Sequence, residues 1–259
     1  MEIVKFKKKN KDQYELYLDS NQKIIVYEDV IIKNNLLVNK YIDEELLNKI
    51  NKDNNKASIY SKCVKYIGIR IRSEKEIRDY LEKNEYDIEL INKTVDKLKN
   101  NKLINDKLFA ESFINDKTIL TNHGPLKIKN ELLKHKIDID IINEYLEKLD
   151  ESIFDEKLDK IINKYIKNNT KYSNTMLKNK IQLHLTDLGY SKEMYIYKLD
   201  EINNNENEEI IEKEFQKEYK KLSKKYTGNE LKLKLRQKMY QKGFNMSKID
   251  KFIDEIIHL

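Results

Sequence analysis

Residues Arg70–Leu98, RIRSEKEIRDYLEKNEYDIELINKTVDKL, read as two short amphipathic helices with a tight joint at Tyr86-Asp87. Ser73 followed three residues later by Glu76 is the capping-box pattern. The hydroxyl accepts from an orphan amide of the first turn while the glutamate reaches back to the cap. Asp87 is an N-cap residue and opens the second helix. Three of the four arginines of the chain, Arg70, Arg72 and Arg78, fall in this stretch.

The same skeleton returns three more times. With Tyr86, Ile137, Tyr190 and Phe244 taken as equivalent, the intervals are 51, 53 and 54 residues. Nine before each stands Ile77, Ile128, Ile181 or Leu235, and five before stands Leu81, Leu132, Leu185 or Met239. Five after comes Ile91, Ile142, Tyr195 or Ile249; nine after, Val95, Leu146, Leu199 or Ile253; twelve after, Leu98, Leu149, Ile202 or Ile256. Every residue in these six columns is apolar against a background of 39%, so the columns mark a repeated core.

The residue after the joint is Asp87, Asp138, Ser191 or Asn245, all favoured N-caps. Gly189 and Gly243 precede it in the last two repeats, as at a helix C-terminus. From Ser73 to Tyr86 and from Gly124 to Ile137 the distance is 13 residues; from Ser173 to Tyr190 and from Thr227 to Phe244 it is 17. Four residues are about one helical turn, so the last two middle helices are expected to be a turn longer.

A leading helix completes each repeat. Its apolar face is Ile59, Cys63, Tyr66 and Ile67 in the first and Leu108, Phe109, Phe113 and Ile114 in the second. In the third it is Leu158, Ile161, Ile162, Tyr165 and Ile166, and in the fourth Ile210, Ile211, Phe215 and Tyr219. The expected architecture is mainly α, with three-helix repeats at 57–102, 103–150, 151–203 and 204–259 stacked as a curved solenoid. Leu231–Arg236 alternates like a strand, but its place in the repeat assigns it to a helix.

Residues 1–55 differ. Tyr14, Leu16 and Leu18 alternate with polar neighbours, as do Ile24 and Val26 after an Asp19–Gln22 turn, which predicts a small antiparallel sheet between Glu2 and Tyr27. So few strands need a helix to pack on. A short helix begins at Asp43, and Asn51–Asn55 reads as a polar link. One Pro and five Gly in 259 residues favour long helices. The 51 Lys+Arg against 45 Asp+Glu leave a net charge of +6, which permits contact with nucleic acid or an acidic protein without showing either. The single cysteine excludes an internal disulfide and suits a reducing cytoplasm. No run is long enough to span a bilayer, so a cytoplasmic protein without membrane contact is expected.

Catalytic constellations are lacking. His123, His135, His184 and His258 are isolated, so no metal site is expected, and five scattered glycines make no phosphate loop. Cys63 lies on an apolar stripe and reads as core. No enzyme activity and no cofactor are expected. The basic residues say more. Two columns flank the buried position nine before the joint: Glu76, Lys127, Lys180 and Lys234 on one side, Arg78, Lys129, Gln182 and Arg236 on the other. They read either as side chains snorkelling over the core edge or as a repeated basic edge for a partner. Seventeen tyrosines offer stacking surfaces for bases, but several stand in core columns.

Tyr66-Ile67, Arg70, Arg72-Ser73, Glu76-Ile77 and Leu81 resemble the R-x-R-S-x-x-E-[LI]-x-x-x-L segment of the RecX recombination regulators. Leu103–Asp106, Phe109-Ala110, Phe113, Gly124-Pro125, Ile128, Glu131-Leu132 and Ile137 resemble the second signature of that family, and the only proline falls on its G-P. Asn105 stands where an acid is common, Asp116-Lys117 where an arginine is usual, and Lys136 where a glycine is expected. The N-terminal sheet and fourth repeat are similar to the longer members.

This resemblance implies a non-enzymatic regulator of DNA recombination and repair that binds RecA, or the RecA filament on single-stranded DNA, along its groove. It implies inhibition of ATP hydrolysis and strand exchange; a monomer that binds bare DNA at most weakly is expected. Arg70, Arg72, Arg78, Lys127, Lys129, Lys180, Lys234 and Arg236 are then the expected contacts. The alternative is a helical-repeat nucleic-acid-binding module that acts without RecA.

Overall fold

The computed structural model describes residues 1–202 and 208–257, as three strands and thirteen helices among those residues. It divides into two compact units. The first contains Met1–Glu111 with His135–Ile137, and the second contains residues 112–134 and everything from Asp138 onward.

In the first unit, β1 (Ile3–Lys8), β2 (Gln13–Leu18) and β3 (Lys23–Tyr27) form an antiparallel meander in that order. Ile3 pairs with Leu18, and Tyr14 with Val26, so one face collects Ile3, Leu16, Leu18 and Val26 in the core. That face packs on Val30 and Ile31 of α1 (Glu28–Lys33) and on Ile50 of α2 (Glu44–Ile67). The sheet finds the helix that its small size demands.

Helix α2 corrects one expectation. Asn51–Asn55 is not a link; the helix that Asp43 caps, through its carboxylate and the Leu46 amide, runs unbroken for 24 residues. The polar run is helical because several of its residues have tertiary work. Asp53 is buried against Lys33 (2.8 Å) and Asn34 (3.4 Å). Asn54 ties the helix to β3, accepting from the Tyr27 amide at 3.0 Å and donating to the Ile25 carbonyl at 2.6 Å. Ile50, four residues before Asn54 on the same face, is fully buried.

Beyond α2 come α3 (Glu74–Lys83) and α4 (Ile88–Asn100), which bury Ile59, Cys63, Ile77, Leu81, Ile91, Val95 and Leu98 together. The capping box is formed: Ser73 Oγ accepts from the Glu76 amide and the Glu76 carboxylate accepts from the Ser73 amide, both at 3.2 Å. Asp87 caps α4 through the Leu90 amide at 2.9 Å.

Helix α5 (Asp106–Leu120) runs across the division between the units. The chain continues as α6 (Pro125–Lys134), α7 (Ile139–Glu147), α8 (Glu151–Asn168), α9 (Asn174–Asp187) and α10 (Lys192–Asp200). It ends in α11 (Glu208–Leu222), α12 (Gly228–Gln241) and α13 (Met246–Ile257). Helices α3 and α6 have 10 residues while α9 and α12 have 14, the extra turn that the spacing predicts. The alternating Leu231–Arg236 is helical. The apolar columns are mostly core, with Tyr86, Leu146, Leu149 and Ile202 half-buried; the side chain of Ile256 and all of His258 lie outside the described residues. Leu108, expected on the inner face of α5, is exposed; Phe109 and Ile114 are buried as expected, and Ala110 is buried with them.

The residue before each joint is left-handed in all four repeats: φ is +61° at Glu85, +57° at Lys136, +84° at Gly189 and +83° at Gly243. The helix ends there in a Schellman arrangement, seen in the bonds from the Tyr86, Tyr190 and Phe244 amides to the Leu81, Leu185 and Met239 carbonyls. Gly189 and Gly243 also let backbones meet. A Cβ on Gly189 would lie 2.4 Å from the Lys127 Cβ, and one on Gly124 would lie 2.5 Å from the Gly189 carbonyl oxygen. Through this contact the Gly124 amide donates to Leu188 O at 2.7 Å and the Leu126 amide to Gly189 O at 3.0 Å. The Ser173 amide donates likewise to Lys242 O at 2.9 Å beside Gly243.

Two substitutions separate conformation from packing. Lys136→Gly removes the left-handed penalty of about 1–2 kcal/mol, offset by about 1 kcal/mol of added chain entropy, so its urea midpoint is expected to be unchanged or slightly raised. Gly189→Ala meets both strain and the Lys127 backbone and is expected to lower stability by about 2–4 kcal/mol in the same assay.

Candidate functional site

Arg70, Arg72 and Arg78 belong to the first unit, and Lys127, Lys129, Lys180, Lys234 and Arg236 to the second. Three of the eight share one structural task. Arg78 donates to Asn92 Oδ1 at 2.7 Å, Lys129 to Asn143 Oδ1 at 3.0 Å and Arg236 to Asp250 Oδ2 at 3.1 Å. Each partner lies 14 residues on, so the bond ties α3 to α4, α6 to α7 and α12 to α13. In the third repeat Gln182 replaces the base and Ile196 stands at the acceptor position, so both members change together. In the sequence the partners form a column six after the joint, Asn92, Asn143, Ile196 and Asp250, whose pairing with the basic column shows only when the two are set side by side.

The other column is arranged differently. The Lys127 ammonium is 3.4 Å from the Asp187 carbonyl at the end of α9. Lys180 lies 4.7 Å from the centroid of the Tyr172 ring, and Lys234 lies 5.9 Å from that of Tyr226. Each tyrosine immediately precedes the residue that opens the helix, Ser173 in one case and Thr227 in the other. Such contacts add about 0.5–1 kcal/mol at exposed sites and more where they are desolvated.

Around Glu76 the arginines divide again. Arg70 is half exposed and holds both Glu76 oxygens, one of them at 3.2 Å. Arg72 is only 10% exposed; it reaches Glu76 at 3.3 Å and lies 3.9 Å over the Tyr66 ring. Tyr66 stacks in turn on Tyr80, with centroids 4.5 Å apart. Arg72 is therefore part of the packing between α2 and α3. Burial works against the charged form of Glu76, yet Arg70, the Ser73 amide and Arg72 together hold its carboxyl below the ordinary value.

Further cations serve the fold. Lys242 binds Glu214 at 2.8 Å and Glu218 at 2.7 Å, all three largely buried. Lys117, where the resembled pattern has an arginine, reaches Glu131 at 2.6 Å, so the substitution keeps an ion pair between α5 and α6. His135 rests 3.4 Å from Ser73 Oγ and against the Phe109 ring. Cys63 is buried and its thiol is pushed up to about 11 by burial, which keeps it protonated and inert. Among the described residues no group of three or more His, Cys, Asp and Glu side chains is placed to hold a metal ion. No described helix is long and apolar enough to cross a membrane.

The Glu76 cluster makes a pH prediction. Its carboxylate is favoured in the folded state, so the stabilisation is complete above the ordinary value of 4.5 and is lost as pH falls through the lower folded value. Glu76→Gln is expected to destabilise by about 2 kcal/mol at pH 7, the worth of hydrogen bonds to a charged group. Denaturant titrations of both proteins at pH 7 and pH 3 should show the gap closing at the acid end.

Comparison with known proteins places this arrangement. Residues 60–98 match the first three-helix domain of RecX and residues 105–146 match the second. The regulatory protein RecX of Listeria welshimeri is 31% identical over 191 residues, which cover 74% of this chain and 71% of that protein. That of Oceanobacillus iheyensis is 28% identical over 257 residues, covering 96% of this chain and 94% of the relative. A crystal structure of regulatory protein RecX superposes with a TM-score of 0.67 at 25% identity, over 75% of this chain and 96% of its own. RecX from Lactobacillus salivarius superposes with a TM-score of 0.52 at 28% identity, over 57% and 97%. With its capped three-helix units and paired basic columns, this chain belongs to the RecX family of regulatory proteins.

Proposed function

We propose that this regulator binds RecA, or the RecA filament on single-stranded DNA along its groove, and mostly inhibits ATP hydrolysis and strand exchange. In this reading it acts as a monomer in the cytoplasm, without catalytic chemistry of its own. The observation that carries the reading, beside family membership, is the set of basic side chains near the starts of the middle helices. Arg70 is exposed and rests on a carboxylate, while Lys127, Lys180 and Lys234 are half-buried and rest on a carbonyl or a tyrosine ring, in no ion pair among the described residues. Arg72, Arg78, Lys129 and Arg236 add to the positive field and fix the helices that carry it. A net charge of +6 draws the chain toward an acidic filament that holds DNA.

The test is RecA ATPase on single-stranded DNA with the wild type and with Lys127→Glu/Lys180→Glu. The wild type should inhibit, and the variant should need on the order of tenfold more protein for the same effect, as for loss of about 1.4 kcal/mol of binding. Inhibition untouched in the folded variant removes these residues from the contact. A wild type that leaves ATPase unchanged but binds bare single-stranded DNA tightly, with steep salt dependence, supports the independent nucleic-acid module instead.

A further inference from the structure

In the second unit one core column stays open. Nine after the joint, Val95, Leu199 and Ile253 are buried, and Leu146 alone of the four is not. Twelve after, Leu98 is fully buried inside α4, whereas α7 stops at Glu147 and α10 at Asp200, which leaves Leu149 and Ile202 beyond their ends, both half-buried. Leu146 and Leu149 line a groove of about 670 Å³, with Pro125, Phe154, Leu158 and Met194 completing its apolar wall.

The rim has the opposite sign to the chain as a whole. Glu147 at the end of α7, Asp155 on α8 and Glu193 in the first turn of α10 border the groove. Bonds to Tyr197 and Lys198 hold the Asp155 carboxyl below its ordinary value, and its own backbone amide and Ser191 do so for Glu193. Of the two exposed members, Glu193 is thereby anionic at neutral pH, and Glu147 adds a second carboxylate. A phosphate backbone laid here would face like charge, so nucleic acid is disfavoured. An apolar segment carrying lysine or arginine meets both the open leucines and the acidic rim.

We propose that this groove between α7, α8 and α10 docks a short cationic, apolar segment of a partner protein, with aliphatic side chains on Leu146 and Leu149 and basic ones beside Glu147 and Glu193. The proposal goes beyond inhibition of RecA and does not depend on it.

The test uses the full chain and a fluorescein-labelled nonapeptide of alternating leucine and lysine, followed by anisotropy, with a leucine–glutamate peptide as comparison. The lysine peptide should bind and the glutamate peptide should not. Glu147→Lys/Glu193→Lys should weaken binding at least tenfold, and Leu149→Ser should weaken it too. Glu82→Lys/Glu230→Lys, the same charge change on exposed glutamates outside the groove, should leave it unchanged. Absence of binding, equal binding of both peptides, or equal loss in the two double variants overturns the proposal. So does protection of the groove by single-stranded DNA, or self-association in sedimentation that Leu149→Ser abolishes, since the occupant is then nucleic acid or a second copy. No RecA is present, so failure here leaves the inhibition of RecA untouched.

Discussion

The first amides of an α-helix and its last carbonyls lack partners within the helix, and in this protein one middle helix answers the needs of another. Gly124 has no side chain to cap α6, and the amides of Gly124 and Leu126 bond instead to Leu188 and Gly189 where α9 ends. Ser173 caps α9 with its hydroxyl and spends its own amide on Lys242, at the end of α12. In the first unit Ser73 does the capping of α3 and meets His135 with the same oxygen. The left-handed residue at each joint turns the helix end outward, and glycine at two of them removes the Cβ that would hold the backbones apart. Much else in the repeat, including the position of the basic columns, follows from where these ends meet.

The charges divide into those that hold helices and those that remain for a partner. Arg78, Lys129 and Arg236 clamp consecutive helices, Arg72 is stacked on tyrosine, and Lys242 neutralises two nearly buried glutamates. Ion pairs of the exposed kind contribute little stability, up to about 1 kcal/mol. The bonds of Arg78 and Lys129 to asparagines and the ion pair of Arg236 each join one helix to the next. Of the eight candidates, Lys127, Lys180 and Lys234 are in no ion pair among the described residues, and Arg70 is exposed but held by Glu76.

The apolar columns, the capping box at Ser73, the caps at Asp87 and Asp138, and the added turn in α9 and α12 were all legible from spacing, because each depends on local periodicity or on one side chain and a nearby amide. Asn51–Asn55 reads as a link in the sequence for the opposite reason. The residues that make it helical, Asp53 and Asn54, satisfy groups 19 to 29 positions away, and no local pattern announces that. The glycine at Gly189 could be read as a helix end but not as the seat of Gly124. The clamp of bases on the +14 position was present in the chain, as the paired change at Gln182 and Ile196 shows, yet it needed two columns to be compared rather than one. Nor does the pattern reveal that Leu146 and Leu149 lie half open, since they are as apolar as their equivalents.

The difference between 10 and 14 residues in the middle helices carries a lesson about how such a chain can change in length. Each residue advances a helix by about 100°, so four bring the joint back to within roughly 40° of its former azimuth. One residue more or fewer would swing Gly189 about a quarter turn away from Lys127, and two would carry it to the far side of the helix axis. The middle helix of the repeat is thus phase-locked: between repeats its length changes by about a whole turn, which keeps the ends that meet in register.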